Sequence, residues 1–457
     1  MNRIKLKGII LSSFMLLTLL LASCDGVGVF AIVAVTDKID EATLPEGISA
    51  RPIARLNEVS GTHMFFASGP GLWVKPISSG SWQSTPLIDS TGKRWDGIQS
   101  MGTATITDTS DRIFLALYRV SGDNYTVALH VLSNYDSTSN RATLTPITDA
   151  SWSGGTGGYQ TIGIFGAQNS GDVYVNILEH DIDYGSIDIN TGQTGFQNSE
   201  LFRLPANATN WSSRVPFTSQ DYLDGSNGPG RYVTGVASKG TTNDDIRITA
   251  ANNLFSTDSG VLLNGAGTVV GGFSSTAAMT GLTWLPNVYT GEGNTGPQGA
   301  YFVAATALDD GTFPIFVSND GTTWSKVSGT TTNFLSINFT DISDTDAGQG
   351  DDGDTDVRLV LVGTSSYIDG TTYKRASGYE ELNTYKAIAD WSINSTWSTY
   401  KFASNNNYGA SNLKDSTIIG MSRIGSGSTL ALYASTRGQG VWKIAPNSSR
   451  RPSWEPE

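Results

Sequence analysis

The acidic residues near position 350 are the most concentrated group of potential metal ligands in this 457-residue sequence. Seven carboxylates fall within 16 residues, at Asp341, Asp344, Asp346, Asp351, Asp352, Asp354 and Asp356. Ca²⁺ takes about 6 to 8 oxygen ligands, and Asp344-Thr345-Asp346-Ala347-Gly348 has the opening spacing of a calcium loop. However, Thr355 stands where such a loop needs its closing glutamate. We expect a solvated loop between two strands, with a weak calcium site at Asp344, Asp346 and Asp351 as the alternative and no other cofactor.

The histidines do not form a recognisable metal or catalytic motif. His63, His130 and His180 are far apart and lie in or at the ends of strand candidates, without zinc-site spacing. We therefore expect each of them to have a structural role. No glycine-rich segment follows a strand and opens a helix, so nucleotide binding has no support.

Several aromatic residues occur in turn-rich segments among Gly, Asn and Ser. Flat rings beside amide groups could stack on sugar rings or hold an extended peptide. Packing between structural units is the alternative for the same residues. The candidate ligand platform comprises Trp95, Trp152, Tyr159, Tyr222 and Tyr408.

The only cysteine, Cys24, follows a segment typical of a secretory signal. Arg3, Lys5 and Lys7 precede an apolar stretch over residues 9–22, which is too short to span a bilayer. The sequence Leu21-Ala22-Ser23-Cys24 resembles the lipobox of bacterial lipoproteins. The resemblance implies that residues 1–23 are a signal peptide and that Cys24 becomes the acylated N-terminus, for example with palmitate. A free cysteine near an ordinary secretory cleavage site is the alternative.

Residues 24–50 are expected to be the lipidated cysteine and a short tether. Residues 27–35 are apolar and form either a strand or short helix packed on the main domain, or a segment against the lipid surface. Asp25 resembles the signal that retains some bacterial lipoproteins in the inner membrane, but this rule differs between bacterial groups. The sequence therefore predicts an envelope location outside the cytoplasm and leaves the membrane leaflet open.

The charge of the chain argues against nucleic-acid partners. The net charge is −13, and removal of residues 1–23 takes away three of 29 basic side chains and none of 42 acidic ones, leaving −16. Such a surface repels phosphate backbones and anionic lipid headgroups. Membrane attachment would then depend on the acyl chains.

From residue 51 to residue 457, β-branched and aromatic runs alternate with clusters of Gly, Asn, Asp and Ser, a pattern typical of strands and turns. A short tryptophan motif recurs at Trp82, Trp211, Trp324 and Trp397. Its gaps fit two, two and one units of about 60 residues. Seven apolar strand cores, each with an upstream strand candidate, then predict an all-β fold: one β-propeller of about seven four-stranded blades. A flat array of sandwiches is the alternative.

One turn carries a resemblance to a known family. Ser318-Asn319-Asp320-Gly321-Thr322-Thr323-Trp324 resembles the Asp-box, or BNR, repeat of sialidase-like propellers, and residues 255–260 form a degraded second copy. The matching residues are Ser318, Asp320, Gly321, Thr323 and Trp324. Asp320 is expected to accept hydrogen bonds from turn amides, Gly321 to adopt a positive φ and Trp324 to bury its ring.

The resemblance implies a fold but no activity. Sialidases use an arginine cluster, an acidic residue and a tyrosine nucleophile, and Phe202-Arg203-Leu204-Pro205 is similar to one of their arginine elements. Arg203 falls in the third unit rather than near the domain start, so we read it as an ordinary strand residue. No catalytic residue is assigned.

The sequence thus predicts a membrane-anchored envelope lipoprotein whose propeller binds or scaffolds a glycan or an envelope protein. The alternative is a glycoside hydrolase of the sialidase-like propeller type, because a pair of carboxylates could exist among the acidic residues.

Overall fold

Antiparallel β-strands make up nearly all of the regular structure in the computed structural model. It describes residues 53–58, 61–68, 71–78, 80–107, 110–122, 124–154, 160–166, 171–180, 196–205, 207–216, 232–240, 242–251, 261–270, 279–286, 288, 299–305, 314–327, 333–340, 359–365, 367–369, 372–374, 379–383, 392–393, 417–424, 431–444 and 455–457. In this described part of the chain, two 3-10 turns, at Trp211–Ser213 and Asn243–Asp245, interrupt the strands. Within these residues there is no helix with the length and apolarity to cross a membrane.

The first four sheets follow one another along the chain, and within each sheet consecutive strands pair in order. Blade 1 contains β1 (Ala54–Glu58), β2 (Gly61–Ser68), β3 (Gly71–Pro76) and β4 (Gln83–Thr85). Blade 2 contains β5 (Gly97–Thr107), β6 (Ser110–Ser121), β7 (Asn124–Asp136) and β8 (Arg141–Gly154). Blade 3 contains β9 (Gln160–Gly166), β10 (Val173–His180), β11 (Phe196–Leu204) and β12 (Val215–Pro216). Blade 4 contains, among the described residues, β13 (Tyr232–Ser238), β14 (Ile246–Ala251) and β15 (Val261–Asn264).

The last three sheets repeat this arrangement. Blade 5 contains β16 (Met279–Leu285), β17 (Ala300–Ala305), β18 (Ile315–Ser318) and β19 (Ser325–Lys326). Blade 6 contains β20 (Asn333–Thr340) and β21 (Leu359–Ser365), then a small hairpin of β22 (Tyr367–Asp369) and β23 (Thr372–Lys374), then β24 (Tyr379–Asn383) and β25 (Ser392–Ile393). Blade 7 contains β26 (Ile418–Ile424), β27 (Ala431–Thr436), β28 (Val441–Ile444) and β29 (Glu455–Pro456).

These seven sheets confirm the predicted all-β propeller. The predicted strand pairs fall on the first two strands of every blade. Trp82, Trp211 and Trp324 each lie shortly before the fourth strand of blades 1, 3 and 5, which explains their spacing of two units. Trp397 lies outside the described residues, as do Cys24, the signal segment and the tether.

The blades form a closed ring because the first blade packs against the last. Phe66 and Trp82 of blade 1 share an apolar cluster with Tyr433 of blade 7. The amide of Ile53 donates to Ser422 Oγ at 3.0 Å. Glu457 Oε1, beyond the last strand, lies 2.7 Å from Lys75 Nζ of blade 1 and 3.7 Å from Lys443 Nζ. A flat array of sandwiches would leave its two ends apart, so that alternative is wrong.

The first strand of each blade lies nearest the axis, and five of these strands carry a β-bulge near their start. The inner strands β5, β9, β13, β16, β20 and β26 contact one another in succession. Each bulge inserts one residue and is followed by glycine or serine. The register shifts fall between Ile98 and Ser100, Val233 and Gly235, Met279 and Gly281, Phe334 and Ser336, and Ile418 and Gly420. The sharper local twist of a bulge helps the strand turn into the ring.

Glycines allow neighbouring inner strands to approach closely. A Cβ atom at Gly166 of β9 would overlap the carbonyl oxygen of Thr103 on β5, and one at Gly102 would lie 2.5 Å from Ile164 Cγ2. These two glycines therefore set the distance between blades 2 and 3.

Gly166→Ala is expected to lower the free energy of unfolding by about 2 kcal/mol or more, because the new methyl group meets backbone that belongs to another sheet. Urea denaturation of both proteins measures the change. Gly163→Ala on the same strand is the matched control, since its nearest neighbour is the Phe165 ring at 3.1 Å, which can move. Equal losses in the two variants would contradict the close-approach explanation.

Candidate functional site

The turn between β18 and β19 contains the Asp-box-like residues and is held by hydrogen bonds to one carboxylate. Asp320 Oδ1 accepts from the amides of Thr322 and Thr323, each at 2.7 Å, and from Ser318 Oγ at 2.9 Å. Gly321 has a φ of 76°, which glycine adopts readily. The Trp324 indole donates to the Gly321 carbonyl at 3.2 Å. Each side chain therefore stabilises the turn itself.

Arg247 of blade 4 holds the same turn from the neighbouring blade. Its Nε donates to the Gly321 carbonyl at 2.8 Å, and its guanidinium lies 5.6 Å from the centre of the Tyr301 ring. Burial alone would raise the pKa of Asp320, but hydrogen bonds from the amides of Thr323 and Thr322 outweigh it and hold that pKa well below its usual range. Asp320 is therefore an ionised structural residue at neutral pH.

A second carboxylate, the buried Asp89, organises the loop between blades 1 and 2. Its Oδ1 accepts from the amides of Thr91 at 2.9 Å and Lys93 at 3.0 Å, and its Oδ2 accepts from Trp95 Nε1 at 3.0 Å. Burial would raise the pKa of Asp89, but these hydrogen bonds, together with that from the Thr91 hydroxyl, lower it to about 2. The loop is thus built around a carboxylate that stays ionised.

His130 on β7 packs against this carboxylate in the interior of blade 2. The residue is 0% exposed, and its Nε2 lies 3.5 Å from Asp89 Oδ2. Its Nδ1 lies 3.1 Å from the Ala128 carbonyl oxygen, and the Trp95 ring meets it edge-on at 4.8 Å. Burial lowers the pKa of His130 more than the Ala128 carbonyl and Asp89 raise it. His130 therefore remains neutral in the folded protein at neutral pH.

Two of the five predicted platform aromatics are described, and they differ. Trp95 is buried between blades 1 and 2, with its ring nitrogen on Asp89. A packing role replaces the platform role that the sequence predicts for Trp95, because the Asp89 loop folds the ring inward. Trp152 on β8 is half-buried, and its ring meets Trp211 of blade 3 edge-on at 5.3 Å.

The remaining predicted residues divide between ordinary strand positions and the undescribed part of the chain. Arg203 lies on β11 with its Nε 3.8 Å from Asp172 Oδ2, as an ordinary strand residue does. His63 is buried on β2 and its ring contacts Tyr135 at 4.9 Å. His180 ends β10. Tyr159, Tyr222, Tyr408, Asp344, Asp346 and Asp351 lie outside the described residues.

Sequence reasoning missed the residues that tie one blade to the next. Asp89, Arg247 and Gln99 all contact a neighbouring blade or the loop that leads to it. Only Asp89 has a local signal, because Asp followed by Ser-Thr-Gly is typical of a turn whose carboxylate accepts nearby amides. Among the residues described, no group of three or more His, Cys, Asp or Glu side chains is arranged to hold a metal ion.

Comparison with known proteins gives only distant structural likenesses, since no family model and no curated protein matches the sequence. The chain is similar to the GH74 xyloglucanase from Xanthomonas campestris, with 11% identity and a TM-score of 0.44 over 90% of this chain and 55% of that one. An α-L-arabinanase from Penicillium chrysogenum, complexed with arabinobiose, has 11% identity and a TM-score of 0.32 over 70% of this chain and 92% of that one. The Dos1 propeller has 10% identity and a TM-score of 0.36 over 84% of this chain and 75% of that one.

The chain spans about half the length of the xyloglucanase. At these scores the likenesses carry no inference about activity, substrate or partner. The fold assignment follows from the sheet order and the closure of the ring.

The buried His130 predicts a loss of stability in mild acid. Because its pKa is lowered in the folded state, the unfolded chain binds a proton first as the pH falls through about 6.5. The free energy of unfolding should then decrease between pH 7 and pH 5.5, by at most about 1.4 kcal/mol per pH unit. Urea denaturation at several pH values should give a flatter pH profile for His130→Gln, whatever its stability at pH 7. Parallel profiles for the two proteins would contradict the assignment.

Proposed function

We propose that this chain is a bacterial envelope lipoprotein whose propeller acts as a binding or scaffold module for a glycan or protein ligand. Cys24 would carry the lipid, residues 25–50 would form the tether, and the closed ring would present its surface to the ligand. The net charge of −16 after removal of residues 1–23 is consistent with a partner other than nucleic acid.

The engagement of three described carboxylates in framework contacts is the observation that supports the binding proposal. Asp89 and Asp320 each accept several hydrogen bonds, which lower both pKa values. Asp111 is held by the Arg55 amide at 2.9 Å and by its guanidinium. A glycoside hydrolase needs a carboxylic acid whose pKa is raised so that it can protonate the leaving group. Asp89 and Asp320 are arranged for the opposite purpose, and Asp111 is engaged by Arg55.

The lipid anchor gives a direct prediction. Cells expressing the Cys24→Ala variant should incorporate no labelled palmitate into this protein, because the only thiol in the chain is gone. Ser12→Ala, within the apolar segment, is the matched control and should be labelled like the wild type. Equal label in the Cys24→Ala protein would remove the anchor from the proposal.

Binding and hydrolysis can be separated in one experiment. The detergent-solubilised full-length protein is incubated with insoluble envelope polysaccharide and, separately, with envelope proteins in the presence of a cross-linker. We expect co-sedimentation or a discrete cross-linked product, and no increase in reducing ends. New reducing ends would instead support the hydrolase. If the protein shows no binding and produces no new reducing ends, the binding role is overturned.

A further inference from the structure

Three half-buried aromatic residues lie on one face of blade 2, which faces blade 3. In the strand register, Tyr118 on β6 pairs with Val127 on β7, and Val127 pairs with Trp152 on β8. Directly paired residues point to the same face of a sheet, so Tyr118 and Trp152 lie about 10 Å apart in one row. Tyr125 lies diagonally from Tyr118 on the same face. We call Tyr118, Tyr125 and Trp152 the aromatic row.

The rings of the two tyrosines are held in place by their surroundings. A Cβ atom at Gly97 would lie 2.6 Å from the Tyr118 ring, so a glycine at this position lets the ring lie against the β5 backbone. Tyr125 stacks on Tyr118 with ring centres 5.7 Å apart and an angle of 19°. This stacking gives a small, ordered aromatic surface.

Gln99, the extra residue in the β5 bulge, fixes the outer tyrosine. Its Nε2 donates to the Tyr125 hydroxyl at 3.2 Å, while its Oε1 accepts from the Ile162 amide of blade 3 at 2.7 Å. The bulge therefore connects the Tyr125 ring to the framework of two blades. A preorganised ring loses little conformational freedom when a ligand stacks on it.

The aromatic row lies at the end of a hairpin that extends past the inner strand. β5 begins at Gly97, opposite Tyr118, and β6 continues through exposed Arg119 and Val120. The chain enters blade 2 at this same end of the ring. The Gln99 amide and the Tyr125 hydroxyl place polar atoms beside these rings.

We propose that the aromatic row is the glycan-binding surface of this propeller and that it stacks on the sugar rings of an uncharged oligosaccharide. This inference rests on the proposed binding function and deepens it. Partly exposed rings with the Gln99 amide and a tyrosine hydroxyl beside them suit sugar rings, which have an apolar face and a polar edge.

The described surface favours a glycan over a protein partner at this position. Among the described residues, the exposed large hydrophobic side chains are Val120, Val215 and Val269, and they lie on three different blades. Protein interfaces usually bury a continuous apolar centre. The overall negative charge disfavours acidic glycans, so the ligand is an uncharged one.

The test uses the detergent-solubilised full-length protein with cellohexaose, xylohexaose, maltohexaose and chitohexaose as probes, followed by calorimetry and tryptophan fluorescence. We expect at least one hexaose to bind the wild type, and Tyr125→Ala and Trp152→Ala to bind it about tenfold more weakly. Tyr125→Phe keeps the ring and should lose less affinity. Val269→Thr, at an exposed valine of blade 4 and away from the aromatic row, should bind like the wild type, and melting curves verify that each variant is folded.

Two outcomes would overturn this inference. If a hexaose binds the wild type and both alanine variants equally well, the aromatic row is not the site, although glycan binding by the protein stands. If no hexaose binds the wild type, the role of the aromatic row in glycan binding is excluded. The co-sedimentation and cross-linking experiment then decides separately whether the protein retains a binding function.

Discussion

The ring depends on how each blade satisfies the backbone of its inner edge. A sheet ends in a strand whose outward amides have no partner strand, and a buried amide without an acceptor destabilises the fold. Here side chains from neighbouring blades supply the acceptors. Gln99 and Ser100 of blade 2 accept from the amides of Ile162 and Ile164 of blade 3. Asn176 of blade 3 accepts from the Val233 amide of blade 4 at 3.1 Å.

The same principle closes the ring and explains the use of its carboxylates. Asp111 of blade 2 and Ser422 of blade 7 accept from inner-strand amides of blade 1. Asp89 and Asp320 act on loop amides in a related way. A carboxylate that accepts several hydrogen bonds is stabilised in its ionised form, so the requirements of the fold and those of acid catalysis oppose each other at Asp89 and Asp320. This opposition separates the framework residues from any surface that meets a ligand.

The sequence predicted the repeated strands of the blades better than the side-chain contacts between those strands. Strands such as β6 and β17 are visible because apolar runs alternate with turn-forming clusters, and Trp82, Trp211 and Trp324 mark fourth strands. Trp95 was misread because a tryptophan among Ser, Thr, Gly and Lys resembles an exposed loop residue. Its burial depends on Asp89 and on His130, which is 35 residues further along the chain. Such a contact between distant segments has no signature in local composition.

For Tyr118 and Tyr125, too, local sequence does not reveal the environment of the side chain, but here it fails to show partial exposure. Alternation along β6 places Tyr118 on the same face as Phe114 and Ala116, so the sequence alone predicts an interior residue. The face is buried only as far as blade 3 covers it, and the strand continues past the start of β5. The one-residue bulge at Gln99 then directs a side chain towards Tyr125. Gln99 thus accepts an inner-strand amide of blade 3 and also orients the Tyr125 side chain at the surface. The contact that joins two blades is therefore linked to the position where a ligand would bind.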